Sequence, residues 1–183
     1  MSIGASVNRA VLVALALAPA AGELRGQRLE YVGAGGGVVV PTGSFGSVER
    51  AGWHLSALAM GPLKRSVRFV VDALYAKTSH QGGASGSSTL AGASVGAALF
   101  LGSDTRRIRP VVSAGVGVFR VNVDVPGFGS AAATKLAPNL GAGVLVGAGR
   151  RRGFLMVRYV SVGTSPQTTS FIPISAGLIL ALQ

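Results

Sequence analysis

The sequence predicts an all-β chain, an eight-stranded antiparallel up-and-down transmembrane β-barrel that follows an N-terminal signal peptide. Three observations predict it. Basic clusters recur at nearly even intervals, at Lys64-Arg65, Arg106-Arg107 and Arg150-Arg151-Arg152, with Arg65, Arg107 and Arg151 spaced 42 and 44 positions apart. That interval is the length of one strand up, a loop, one strand down and a short turn. The segments between clusters alternate between aliphatic residues and Gly or Ser, and a period of two belongs to a strand with two unlike faces. Finally, the mean hydropathy is +0.51 and only 13% of residues are charged, against about 25% in ordinary soluble domains. Yet beyond the N-terminus no segment supplies the roughly 18 unbroken apolar residues of a membrane-spanning helix.

The elements follow in order. Residues 1–20 read as a secretory signal peptide: Arg9 is the positive leader, Ala10 to Ala18 the apolar stretch, and Ala18-Pro19-Ala20 the small-x-small cleavage pattern. Residues 21–28 form a short N-terminal segment and 29–183 the barrel, a length that suits one domain. Removal of the signal leaves 16 basic and 6 acidic residues, net +10. There is no cysteine, which excludes a disulfide framework and a thiolate metal site. The eight strands are expected near 29–40, 52–60, 67–76, 89–101, 108–121, 136–148, 153–163 and 171–182. Short basic turns join three pairs of them. The other four connections, 41–51, 77–88, 122–135 and 164–170, are longer or softer, the second being a Gly/Ser-rich stretch.

Alternation is sharp within the runs. Val112, Ala114, Val116 and Val118 oppose Ser113, Gly115 and Gly117; Leu140, Ala142, Val144 and Val146 oppose Asn139, Gly141 and Gly143; Ile174, Ala176, Leu178 and Leu180 oppose Ser175 and Gly177. Large aliphatics therefore share one face, while tiny or polar residues share the other. Transmembrane barrels alternate apolar-out and polar-in, and closure satisfies every backbone group in lipid. Helices are excluded by glycines at this density, each costing about 1 kcal/mol relative to alanine. By parity Trp53, Phe69, Tyr75 and Tyr159 face lipid. Phe100, Phe119, Phe154 and Phe171 fall on the inner face, so either bulges shift the register there or these rings plug the lumen.

With this pattern the chain resembles the small eight-stranded outer-membrane barrels, the OmpA- and OmpX-like group, over residues 25–183. The last strand carries the most specific element. In that family it bears an assembly signal, and here Ser175, Gly177, Leu180 and Leu182 match its polar, glycine and hydrophobic positions, with Leu182 where an aromatic is usual. The resemblance implies periplasmic termini, periplasmic basic turns and outward-displayed loops, in the outer membrane of a Gram-negative-type bacterium. It also implies the bilayer and the outer-membrane assembly machinery as partners. Lys64, Arg65, Arg106, Arg107, Arg150, Arg151 and Arg152 then lie beside anionic phospholipid head groups, each contributing about 1 kcal/mol, or act as solvated charges that prevent aggregation before insertion.

Polar candidates on the inner face are few: His54, Arg68, Asp72, Asn139 and Arg158. Strands three and seven of an eight-stranded barrel face each other, across an interior just wide enough for side chains to fill. Asp72 and Arg158 sit at similar heights, and a buried charge without a partner is costly, so an Asp72–Arg158 contact is expected. A structural or surface-interaction role without catalysis or cofactor follows. Two alternatives stand beside it. A soluble exported lipocalin-like barrel would bind an apolar ligand within inward-facing aliphatics. A lipid A-modifying enzyme would need a nucleophile and base, for which His54 and its nearest same-face neighbour Ser56 are the candidates. Nucleic acid is not an expected partner, because the positive charge is dispersed along the chain. Gly35-Gly36-Gly37 has no following helix and is no nucleotide motif.

Overall fold

A computed structural model describes residues 28–81, 86–103, 106–125, 129–163 and 169–182; the expected signal peptide lies outside the described residues. Eight strands run in sequence order: β1 Tyr31–Thr42, β2 Glu49–Lys64, β3 Val67–His80, β4 Ser87–Phe100, β5 Ile108–Val125, β6 Gly129–Val146, β7 Arg151–Val162 and β8 Thr169–Ala181. Each pairs antiparallel with the next, and β8 closes on β1 from Tyr31↔Ala181 to Thr42↔Ser170. A short helix, α1 Gly43–Gly46, lies between β1 and β2.

Several strands outrun the sequence expectation. The stretches 122–135 and 77–80 were expected in loops, but β5 and β6 pair as far as Val125↔Gly129, and β3 continues to His80. The Ala, Ser and Gly of this region carry little β-propensity, and pairing with a partner strand overrides it. Two of the basic turns are also shorter than expected. Lys64 ends β2, and Arg151 and Arg152 begin β7, Arg151 paired with Leu180 and Arg152 with Ile179.

The aliphatic face points outward, with Leu140 64%, Leu178 63% and Val95 55% exposed. The soluble lipocalin-like alternative would need this aliphatic series to turn inward instead. Trp53 and Tyr75 pack together on this face, ring centroids 5.8 Å apart, and Tyr159 is exposed there. Phe69 is the exception. It was expected to face lipid freely but is buried, because it pairs in register with Gly61 and its ring fills the space a side chain would take there.

Inside, the four inner-face phenylalanines fill the lumen, and the irregularities of register found between β2 and β3 lie elsewhere. One apolar cluster, near the loop end, includes Val39, Leu74, Leu90, Phe119, Val160 and Phe171. Phe119 and Phe171 are 1% and 0% exposed, with their rings edge-to-face at 5.8 Å. A second cluster, near the basic turns, includes Met60, Phe100, Val111, Leu145, Phe154 and Ile179. Inner-face glycines make room for the rings. A Cβ on Gly92 or Gly117 would strike Phe119, and one on Gly35 or Gly177 would strike Phe154. The small-residue face is therefore the seat of an aromatic plug, the second of the two readings that parity leaves open for these rings.

Candidate functional site

Between the two apolar clusters lies a belt of polar side chains. Arg158 Nη1 approaches Asp72 Oδ2 at 2.7 Å, and Ser94 Oγ donates to Asp72 Oδ1 at 2.5 Å. The paired charges face each other from β3 and β7 across the lumen. Asn139, buried on β6, and Ser113 and Ser175 join Asp72, Ser94 and Arg158 around a cavity of about 90 Å³. Ser56 also lines it, and the rest of its walls are apolar, among them Phe100, Leu145 and Phe154. A cavity of this size, ringed by polar partners, has room for several water molecules.

His54 belongs to the same belt but not to the expected pair. Its Nε2 lies 2.8 Å from Ser175 Oγ; Ser56, two residues along the same strand, is not that partner. The reason lies in the register: His54 pairs with Gly37 of β1, and Gly37 pairs with Ser175 of β8. Gly37 carries no side chain, so His54 and Ser175, two strands apart in one row, meet across it. The triple-glycine run was the sequence signal for this. His54 is 1% exposed, so the imidazole–hydroxyl pair is enclosed. Ser175→Ala strands a buried imidazole nitrogen and is expected to cost about 1–3 kcal/mol, read as a lower urea midpoint of the folded barrel. An unchanged midpoint would show that the hydrogen bond contributes nothing.

Both mouths are also built. At the loop end Glu49, 3% exposed, accepts from Thr78 Oγ1 at 2.7 Å and from Ser88 Oγ at 2.6 Å, and lies 2.7 Å from His80 Nδ1. Gln81 Nε2 donates to the carbonyls of Gly46 and Glu49, which fastens the α1 segment to β3. At the turn end Arg68 Nε donates to Glu30 Oε2 at 3.0 Å. The Arg68 guanidinium lies 5.2 Å from the Tyr31 and Phe100 ring centroids, and that of Arg109 lies 5.0 Å from Phe100. Neither the Glu49 network nor the role of Arg109 was legible in the sequence; Glu49 falls in an expected loop, and Arg109 follows the Arg106-Arg107 turn cluster. Lys64, Arg65, Arg106, Arg107, Arg150 and Arg151 are exposed at this end, while Arg152 is partly buried on the lumen side. In β8, Ser175 and Gly177 face the lumen, while Leu180 and, just past the end of the strand, Leu182 are exposed.

A closed barrel of eight antiparallel strands, apolar outside and plugged inside, is the build of a small transmembrane β-barrel. Solved structures share it. The chain is 20% identical to Neisserial surface protein A over 83% of its own length and 96% of that chain, with a TM-score of 0.67. It is 13% identical to the N-terminal β-barrel domain of Pseudomonas aeruginosa OprF (85% and 100% covered, TM-score 0.53) and 16% identical to the outer membrane enzyme PagL (83% and 99%, TM-score 0.52). No protein-family model matches the chain, and no curated protein matches it in sequence. The fold is that of the small eight-stranded outer-membrane barrels.

Proposed function

We propose that the chain is an outer-membrane barrel of a Gram-negative-type bacterium, with a structural or surface-interaction role, a side-chain-filled lumen and no catalytic activity. The observation that carries this reading is the pairing of an exposed aliphatic face with a lumen closed by Phe119, Phe171, Phe154 and the Asp72–Arg158 ion pair. In this reading residues 1–20 are removed on export and 21–28 precede the barrel. Lys64, Arg65, Arg106, Arg107, Arg150, Arg151 and Arg152 meet anionic head groups of the periplasmic leaflet, and Ser175, Gly177, Leu180 and Leu182 are read by the assembly machinery. PagL, an enzyme by name, shares the fold, so the fold does not decide activity. What supports a non-catalytic role is the enclosure of the His54–Ser175 pair, whose hydroxyl faces the lumen rather than lipid.

Fractionation of cells expressing the full chain is expected to recover it in the outer membrane, migrating faster unheated than boiled on a gel. Recovery in the soluble periplasmic fraction would overturn the reading. Expression is also expected to leave the lipid A profile unchanged. If a modification appears and His54→Ala abolishes it, the lumen pair is catalytic and the non-enzymatic reading fails.

A further inference from the structure

The outward face is aliphatic until it nears the loop end, where charges begin. On β5 the outward positions run Ile108, Pro110, Val112, Ala114, Val116 and Val118, and the next is Arg120. Ten residues of strand tilted about 40° rise roughly 25 Å, the height of the apolar band of a transmembrane barrel. Arg120 thus stands where lipid tails give way to head groups, on the side opposite the basic turns.

The register places it in a group. Arg120 pairs with Ala91 and Ala91 with Tyr75; in the next row Asn122 pairs with Thr89, Thr89 with Lys77 and Lys77 with Trp53. Lys77 and Arg120 are exposed, and Arg120 Nε donates to Asn122 Oδ1 at 3.1 Å. Two strand spacings and two residues separate the cations, about 12 Å between Cα atoms, and only the short side chains of Thr89 and Ala91 stand between them. Both long side chains can therefore converge over that floor, beside the Trp53–Tyr75 pair. Among the described residues these two rows hold no carboxylate. Asp124 and Arg50 lie one row further toward the loops, in line with Ser87 and Ser79 and on strands three apart.

We propose that Lys77, Arg120, Thr89 and Asn122 form a phosphate-binding cradle on the lipid-facing wall, whose occupant is the phosphorylated head group of an outer-leaflet glycolipid. It rests on the outer-membrane reading, which cell fractionation tests separately. The cradle commits to a lipid because its floor is continuous with the aliphatic wall, so acyl chains lie along Val95 and Val116 while phosphate meets the cations.

The test uses the full chain folded in neutral detergent. It is incubated with diphosphoryl lipid A, with dephosphorylated lipid A, or with diphosphoryl lipid A plus millimolar inorganic phosphate, and retained lipid is measured by native mass spectrometry. Retention of the diphosphoryl form is expected to exceed that of the dephosphorylated form and to fall roughly 30-fold in Lys77→Ala/Arg120→Ala, the factor for two cations at about 1 kcal/mol each. Lys77→Arg/Arg120→Lys keeps both charges and is expected to retain the lipid. Faster migration of the unheated variants on gels verifies folding. The proposal is overturned if both lipid forms are retained equally, if the alanine variant retains as much as the parent, or if Arg106→Ala/Arg107→Ala at the opposite end loses as much. Displacement by inorganic phosphate would make the ligand a free anion and overturn the lipid assignment.

Discussion

Arg158→Met is expected to lower the stability of the barrel by about 3–5 kcal/mol, because it leaves the Asp72 carboxylate buried without its cation. Asp72 then keeps only the hydrogen bond from Ser94. The effect is read in urea titrations of the chain in lipid vesicles, with Trp53, the single tryptophan, reporting transfer between lipid and water. The companion variant Asp72→Leu/Arg158→Met removes both charges and is expected to recover most of the loss, since a buried pair contributes little beyond its own desolvation. If the single variant matches the parent, the belt is open to solvent and the lumen is not sealed at that level.

Phe119→Ala is expected to cost a comparable 3–5 kcal/mol. The ring is fully buried, sits edge-to-face with Phe171, and rests on Gly92 and Gly117. Those glycines have no side chains to move into the space, so the cavity cannot collapse. The converse variant, Gly92→Val, overfills the same site and is expected to cost about 1–3 kcal/mol. The same urea titration measures both. A Phe119→Ala variant within 1 kcal/mol of the parent would mean that the loop-end cluster does not hold the barrel together.

The closed barrel and its two faces were legible because strand periodicity ties every second residue to one side, so one aliphatic series in each strand suffices to set the rest. The Asp72–Arg158 approach was legible for the same reason, joined to the geometry that opposes the third and seventh strands. His54 with Ser175 was not. Contacts along a row depend on which intervening residue lacks a side chain, and Gly37 acts only once the pairing of β1 with both neighbours is known. The fate of Phe69 was hidden likewise, since Gly61 becomes its neighbour only through the hairpin register. Strand ends failed where composition resembled loop, as in the Ala131-Ala132-Ala133 stretch of β6, which is held by β5 rather than by its own propensity.

The length of β5 and β6 has one more consequence. β6 pairs with β7 only from Asn139 to Val146, whereas it pairs with β5 as far as Gly129. Among the described residues no strand pairs with the other side of β6 along 129–138, which leaves a row of backbone donors and acceptors that a foreign chain could extend. Two residues guard it. Pro138 at its base has no N–H to offer, and Lys135, exposed midway along, brings a charge that an added strand would have to desolvate. The hairpin can stand beyond the barrel wall without seeding edge-to-edge aggregation between neighbouring copies.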